Sequence, residues 1–232
     1  NYAFPYLADV PALFAAWFSH RDPALSAKDK LWYRRATDAL LRTTCAPMYE
    51  EELQGYGQTV RILPPLDREK FCPVSRRSSS AHLVAGVAGY VYQGGRKGEH
   101  LLKDILRVDF GRVIDWRATG SGWPVPTKDI SYDTLEEFFQ GLDVYVCPSL
   151  VEGVPYPPLE ALACGVPIVI PSGVGLLDTL PDLPGIMLYE ANNAADLARA
   201  IRELLDIKQV DRDALRAVTA PLAIPVSMRI GF

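Results

Sequence analysis

Residues 143–172 constrain the fold most, because two apolar runs there enclose a short helical pattern. Residues 143–149 are rich in valine and aromatic side chains, as in a strand that is buried on both faces. Between residues 157 and 164 the apolar positions change to helical spacing, and Gly165 follows as a helix stop. Residues 166–171 are again apolar throughout. This order of strand, helix and strand predicts a parallel pair with a crossover, whose ligands bind at the carboxyl ends of the strands.

Two glutamates accompany this helix, and their spacing predicts that both face one crevice. Glu152 lies in the loop after the first strand, and Glu160 is placed in the first turn of the helix. Ionised carboxylates only accept hydrogen bonds, so such a pair suits sugar or ribose hydroxyls, while the amino end of the helix suits a phosphate. The same spacing also fits a structural arrangement, in which Glu160 caps its own helix and Glu152 is solvated.

Residues 152–167 resemble the signature of the retaining glycosyltransferases of the GT-B fold, in the large family numbered four. The resemblance rests on the spacing of Glu152 and Glu160, the small-residue helix, the Cys-Gly-x-Pro segment at its end and the strand that follows. It implies that Glu152 faces the donor sugar and that Glu160 holds the ribose of the nucleotide. It also implies a metal-independent transfer of a hexose from a nucleoside diphosphate sugar to an unidentified acceptor, with no other cofactor.

The fold implied by this resemblance is α/β, with a Rossmann-like parallel-sheet donor domain of GT-B type that follows an incomplete acceptor domain. The signature loop adds further donor-binding residues, namely Gly153, Val154, Pro155 and Tyr156. The prolines at positions 155, 157 and 158 lack the backbone N–H from which a phosphate would accept a hydrogen bond. This departure from the family favours a structural role of the loop over a catalytic one.

A second candidate site follows an apolar strand that is predicted at residues 82–91. Residues 93–98 form a glycine turn that contains Arg96 and Lys97, and a helix is predicted at residues 99–106. Glycines let the backbone approach a phosphate and the two cations supply charge, although an ordinary exposed turn has the same pattern.

The family resemblance assigns this turn to the pyrophosphate of the donor. It implies that Lys97 and Arg96 act with Glu152 in catalysis, and that Lys97 also binds the donor. The family has a Gly-Arg pair at the end of the preceding strand, where this chain has Gly89-Tyr90. Arg96 then replaces the missing charge, or the pyrophosphate is held more weakly.

The base side of the donor is predicted farther along the chain. A strand at residues 114–118 leads to a glycine turn that includes Gly120, and the resemblance places residues 128–132, with Ile130, beside the base. Later elements are predicted from periodicity alone: helices at residues 134–141 and 194–205, and a strand at residues 186–188.

The first 75 residues resemble the closing part of the acceptor domain in the same family, because their elements follow the same order. Helices are predicted at residues 11–18, 31–41 and 47–56, and short strands at residues 43–46 and 60–63. The serine-rich residues 72–81 have linker composition. We therefore predict an incomplete acceptor-side domain over residues 1–75 and a nucleotide-sugar-binding domain over residues 76–232. This division implies a missing N-terminal region or a partner subunit.

Composition excludes several classes of protein. A net charge of −4 argues against a general nucleic-acid binder, and no apolar run reaches the ~20 residues of a transmembrane helix. The four cysteines and three histidines lack metal-binding spacing, so free thiols in a reducing, cytoplasmic compartment are predicted. The absence of a G-x-G-x-x-G motif disfavours a Rossmann dehydrogenase.

One alternative function stays open on the sequence. The loop prolines, Tyr90 and the incomplete first domain also fit a degenerate relative that binds or supports a partner without catalysis.

Overall fold

The computed structural model describes residues 14–17, 41–44, 58–74, 82–92, 94–150, 152, 155–173 and 179–224. The chain divides into two compact units, Asn1–Leu63 and Pro64–Phe232. The boundary predicted at residue 76 falls within residues 75–81, which lie outside this description, and it stays a prediction.

The first unit contains a three-stranded parallel sheet in the order β1-β2-β3. Its strands are β1 (Phe14–Trp17), β2 (Leu41–Thr44) and β3 (Thr59–Arg61). The helix predicted at residues 11–18 is wrong, because β1 occupies that segment and pairs with β2. Two alanines between aromatic residues fit a helix locally, but strand pairing with a distant segment decides the conformation.

Other predictions for the first unit agree in part with the structure. β2 begins at Leu41, ahead of the strand that was predicted at residues 43–46. The rest of the helix predicted at residues 31–41, and the helix predicted at residues 47–56, lie outside the described residues.

The second unit contains a six-stranded sheet in the order β6-β5-β4-β7-β8-β9, and all its neighbouring strands are parallel. The strands are β4 (Leu83–Tyr90), β5 (Ile114–Ser121), β6 (Thr127–Lys128), β7 (Val144–Val146), β8 (Ile168–Pro171) and β9 (Ile186–Tyr189). The helices are α1 (Glu99–Ile105), α2 (Leu135–Gln140), α3 (Tyr156–Ala163), α4 (Ala194–Asp206) and α5 (Arg212–Val218). Numbered within this unit, the order is the 3-2-1-4-5-6 order of doubly wound nucleotide-binding sheets. The predicted α/β, Rossmann-like fold is confirmed.

The core lies on both faces of this sheet, which explains the apolar runs of the sequence. Every residue of β7 and β8 is buried. One face packs on α3 and includes Phe139, Tyr145 and Leu162, and the other packs on α1 and α4. Asn193 caps α4, because its side chain accepts a hydrogen bond of 3.0 Å from the backbone N–H of Asp196.

Residues 64–74 pack as part of the second unit. Leu66 and Phe71 are 2% and 0% exposed. The Leu66 N–H donates to the carbonyl of Leu222 at 2.7 Å, and the Ile224 N–H donates to the carbonyl of Leu66 at 3.2 Å. Arg216 donates to the carbonyl oxygens of Arg68, Phe71 and Ala163 at 2.8, 3.1 and 2.9 Å. Within the residues described, no helix is both long and apolar enough to span a membrane.

Candidate functional site

The carboxyl ends of β4 and β7 meet at the point where the strand order of the second sheet reverses. β5 and β6 extend from β4 on one side, and β8 and β9 extend from β7 on the other. Ligands of doubly wound sheets bind in the crevice at such a point.

Two glycines make a close backbone contact beside this crevice. Gly89 pairs with Gly120 across β4 and β5. A Cβ atom on Gly120 would lie 2.2 Å from the carbonyl oxygen of Gly89, and Gly120 has a φ of 97°. Only glycine satisfies both conditions. The Gly89 carbonyl also accepts a hydrogen bond of 2.8 Å from the indole N–H of Trp123, which fixes the end of β4.

The glycine turn before α1 packs directly on the chain that leaves β7. Gly98 has a φ of 69°, and a Cβ atom on it would lie 1.9 Å from the carbonyl oxygen of Pro148. The Leu150 N–H donates to the carbonyl of Arg96 at 2.8 Å. The structure therefore brings together two segments that the sequence places about 50 residues apart.

Lys97 and Glu152 form an ion pair in this crevice, with Lys97 Nζ donating to Glu152 Oε1. Their side chains are 18% and 12% exposed. A Cβ atom on Gly89 would lie 3.6 Å from Lys97 Nζ, so this glycine leaves space beside the ammonium group. Because each charge compensates the other in a mostly buried place, an entering phosphate or hydroxyl would compete for a contact that already exists. The sequence predicted both residues for this site but did not predict their pairing.

Tyr90 lies at the end of β4 and contacts the loop after β6. Its hydroxyl donates to Asp129 Oδ1 at 3.1 Å, which links the end of β4 to the loop after β6. This hydrogen bond and the negative charge of Asp129 raise the pKa of Tyr90. Ile130, next to Asp129, packs partly buried against the core around α3.

Glu160 is the fifth residue of α3, one residue farther from the start of the helix than the sequence predicted, and it is 6% exposed. Burial raises its pKa to about 7, and the positive charge of Lys70 opposes this shift. α3 has no side-chain cap, so the alternative in which Glu160 caps its own helix is wrong. Within the described ranges, no donor forms a hydrogen bond with the Glu160 carboxylate. A buried acceptor of this kind requires a donor from a ligand or from water.

The two predicted carboxylates lie near the same strand. Burial raises the pKa of Tyr145 in β7 well above its ordinary value, and the charges of Cys147, Glu152 and Glu160 raise it further. The negative charges of both Glu152 and Glu160 therefore reach Tyr145 in β7.

The amino end of α3 offers few backbone donors. The residue before the helix is Pro155, and Pro157 and Pro158 occupy its first turn, so Tyr156 supplies the first amide. Tyr156 is 37% exposed, and Pro155 is buried. Gly153 and Val154 lie outside the described residues. A phosphate at this helix would depend on cations more than on amides.

Three residues around Glu160 were missed by the sequence analysis. They are Lys70, Tyr132 and Glu136, and they come from the turn before β4 and from the region of α2. The sequence shows only a charged turn that ends in Phe71. Such a pattern does not indicate which distant carboxylate the lysine of the turn will contact.

A separate groove of about 430 Å³ runs along the edge of the sheet between β5, β6 and α2. Ile130 lines it, whereas Lys97, Glu152 and Glu160 do not. Among the described residues, no group of three or more His, Cys, Asp or Glu side chains is arranged to hold a metal ion.

The sequence is similar to those of known glycosyltransferases. The model of the family described as Glycosyl transferases group 1 matches residues 127–218. The chain is 29% identical over 133 residues to D-inositol 3-phosphate glycosyltransferase of Geodermatophilus obscurus, covering 57% of this chain and 27% of that protein. It is 36% identical over 72 residues to N,N'-diacetylbacillosaminyl-diphospho-undecaprenol alpha-1,3-N-acetylgalactosaminyltransferase of Campylobacter jejuni, covering 31% of this chain and 19% of that protein. The matches thus span about a quarter or less of these relatives.

Solved structures share the fold over a larger part of the chain. HepE of Anabaena, solved in complex with UDP and glucose, has a TM-score of 0.75 at 15% identity, covering 91% of this chain and 67% of that chain. Sucrose-phosphate synthase from Thermosynechococcus elongatus has a TM-score of 0.68 at 20% identity, covering 85% of this chain and 56% of that chain. Residues 127–218 therefore match the group 1 glycosyl transferases, and the unit that contains them has the α/β fold of the GT-B glycosyltransferases.

Proposed function

We propose that this chain supplies the nucleotide-sugar-binding part of a retaining glycosyltransferase, which transfers a hexose from a nucleoside diphosphate sugar to an acceptor. The observation that carries the proposal is the Glu160 carboxylate, which belongs to a 6% exposed residue of α3 and has no hydrogen-bond donor in the described residues. Ribose hydroxyls are donors of the required kind. The similarity to glycosyltransferases, and a neighbour of the same fold that was solved with UDP and glucose, support the same class of ligand.

The Lys97–Glu152 ion pair suggests how the donor is engaged. A diphosphate attracts Lys97 more strongly than one carboxylate does, because it carries at least two negative charges. Lys97 would then move its hydrogen bond from Glu152 to the phosphate, with Arg96 nearby on the same turn. Glu152 would in turn become available to accept from a hydroxyl of the donor sugar.

The leaving group would be stabilised by these fixed cations during transfer. Negative charge grows on the diphosphate as the bond to the sugar breaks, and preorganised positive groups lower the energy of that state. Pro157 and Pro158 remove backbone donors from the first turn of α3, so Lys97 carries a larger share of this stabilisation.

Replacement of Lys97 with alanine is expected to weaken binding of a nucleoside diphosphate by about 1.5 to 3 kcal/mol, the range for hydrogen bonds to charged groups. Binding of the corresponding nucleoside should stay nearly unchanged, because it has no phosphate to lose. Titration calorimetry with UDP, GDP and ADP, and with their nucleosides, measures the affinities for the diphosphate and for the nucleoside. Added salt should reduce the difference if the site is open to solvent.

Two further variants make this test specific. Lys103→Ala removes an exposed lysine from α1, the helix that follows the turn of Lys97, and should leave affinity unchanged. The double variant Lys97→Met with Glu152→Gln leaves no unpaired buried charge, so it separates lost ligand contact from lost folding. Equal weakening of diphosphate and nucleoside by Lys97→Ala would contradict the phosphate role.

A second candidate function is a degenerate, non-catalytic relative that binds the nucleotide and supports a partner. The specific observation in its favour is Tyr90, which stands at the position of the family's arginine and bonds to Asp129. Release of sugar from a bound donor, measured with and without added acceptor sugars, distinguishes the two. Nucleotide binding without any release of sugar would favour the second.

A cytoplasmic location stays a prediction, and the free thiols of Cys72, Cys147 and Cys164 support it.

A further inference from the structure

His100, in the first turn of α1, lies between two loops that both follow carboxyl ends of strands in the second sheet. Its Nε2 atom lies 3.0 Å from Oδ1 of Asn192, in the loop between β9 and α4. Its Nδ1 atom faces the glycine turn before α1, because it lies 3.7 Å from the place that a Cβ atom on Gly95 would occupy. The residue is exposed, so a ligand can reach the ring.

Asn192 has an uncommon backbone conformation and fixed neighbours. Its φ is 63°, and in the part of the chain that the structure describes it is the one non-glycine residue with a positive φ. The Asn193 N–H donates to the Glu190 carbonyl at 3.1 Å, and Asn193 Nδ2 donates to Glu190 Oε2 at 2.7 Å. Because Oδ1 of Asn192 can only accept a hydrogen bond, Nε2 of His100 carries the hydrogen, and Nδ1 has the lone pair of the neutral ring.

The glycine turn leaves open space beside Nδ1. Gly94 and Gly95 have φ values of 108° and 72°, in the range that favours glycine. Among the described residues, no atom lies within 4 Å of a Cβ placed on Gly94, and only Nδ1 and Cε1 of His100 lie within 4 Å of a Cβ placed on Gly95. Arg96 and Lys97 follow in the same turn, so this space favours an anion over a neutral group.

We propose that His100 is a further phosphate-binding residue of the donor site: Nδ1 takes up a proton when the diphosphate binds, and it then donates a hydrogen bond to a phosphate oxygen. This inference rests on the proposed function. An ionised phosphate oxygen only accepts hydrogen bonds, so the neutral ring, with Nδ1 as an acceptor, cannot bind it. The proton comes from the solvent, and Nε2 keeps its hydrogen bond to Asn192 in both forms of the ring.

The elements next to His100 carry charges of both signs. Their charged residues nearest to these contacts along the chain are Arg96, Lys97, Glu99, Lys103, Glu190 and Asp196. Two of them already have partners of opposite charge: Lys97 pairs with Glu152, and Asp196 Oδ1 lies 2.5 Å from Arg199 Nε. A diphosphate adds at least two negative charges beside the ring, so its binding favours the imidazolium form over the neutral form.

The experiment compares wild type with His100→Gln by calorimetry, using whichever of UDP, GDP and ADP the wild type binds. Titrations at about pH 7 in buffers of different ionisation enthalpy measure proton uptake, and we expect more uptake by the wild type. At about pH 6 the wild type should bind about tenfold more tightly than the variant, the effect of one hydrogen bond between charged groups. At about pH 8.5 the two affinities should converge, because an imidazole is then neutral. The nucleotide's own phosphate titrates as well, so the two proteins are compared at each pH.

Changes at Asn192 separate the phosphate role from folding. Asn192→Asp places a carboxylate beside Nε2, so the pH at which affinity falls should shift upward. Asn192→Gly suits the positive φ and should keep the unfolding midpoint, but it no longer orients the ring, so the tight binding at about pH 6 should weaken. His82→Gln changes an exposed histidine just before β4 and should leave proton uptake and affinity unchanged.

Three results would count against His100 as a phosphate-binding residue. Loss of affinity by the same factor at every pH in His100→Gln would indicate a merely structural role and overturn the inference. Equal proton uptake by wild type and His100→Gln would also overturn it, while nucleotide binding by both proteins would leave the proposed function intact. If the wild type binds none of the three nucleotides, the proposed function and the inference both fail.

Discussion

A methyl group on Gly98 is expected to destabilise the second unit by about 4 kcal/mol or more, whereas a methyl group on Gly111 should cost about 1 kcal/mol. Both glycines have a φ of 69°, so the cost of the left-handed backbone is the same in the two alanine variants. The two positions differ in the room available for the new Cβ atom. At position 98 this atom would lie 1.9 Å from the Pro148 carbonyl oxygen, whereas at position 111 no other atom lies within 4 Å of it. Urea unfolding of Gly98→Ala and Gly111→Ala measures the difference.

The contact at Gly98 also positions the candidate site, so the Gly98 variant should lose more than stability. Displacement of this turn from Pro148 moves Lys97 away from Glu152, because Lys97 is the neighbour of Gly98 and Glu152 lies shortly after Pro148 in the chain. Diphosphate binding should therefore fall even at temperatures where Gly98→Ala remains folded. Equal unfolding midpoints for the two alanine variants would show that the loop after β7 can move away from position 98, and that the close contact between Gly98 and Pro148 is not needed.

Replacement of Glu160 with glutamine is expected to stabilise the protein at neutral and alkaline pH. Burial raises the pKa of Glu160 from 4.5 to about 7, so the native state binds the proton more tightly than the unfolded chain does. Between these two values the stability that this residue contributes falls as pH rises, because folding must then oppose its ionisation. A rise of the pKa from 4.5 to about 7 corresponds to roughly 3 kcal/mol of lost stability above pH 7.

The pH dependence of Glu160→Gln distinguishes this mechanism from a general packing effect. The variant should differ little from wild type at about pH 5 and should be more stable by roughly 3 kcal/mol at about pH 8. Urea midpoints at both pH values provide the measurement, and Glu137→Gln, an exposed change on α2, serves as the control. A gain of equal size at both pH values would contradict the ionisation mechanism. The proposed ribose contact predicts that the same variant binds nucleotide less well, so stability and binding should change in opposite directions.

The elements of the second unit could be predicted closely from the sequence. Strands that are buried on both faces are apolar throughout, so β7 and β8 could be recognised without knowing their neighbours. The prolines and Gly165 marked both ends of α3 within about one residue. These patterns depend only on residues that are close in the chain, so they can be recognised in a single sequence.

Features that depend on distant partners could not be predicted in this way. β1 has alanines that favour a helix, and its pairing with β2 is set by residues far along the chain. The ion pair of Lys97 with Glu152 joins two segments that were interpreted separately. Lys70 pairs with Glu136 of α2 only because the turn before β4 packs beside that helix. The burial of Glu160 was unexpected because glutamate is seldom buried.

The contact between Leu66 and Ala223 has a consequence for protein engineering. These residues form a parallel bridge, so the segments around residues 66 and 223 lie beside each other. A short linker from residue 224 to residue 64 could therefore close the unit into a ring, which could be reopened at the exposed residues 111–113 without breaking a strand. The same geometry allows residues 64–224 to be inserted as a cassette into a loop of a host protein, because the two ends of this segment lie beside each other.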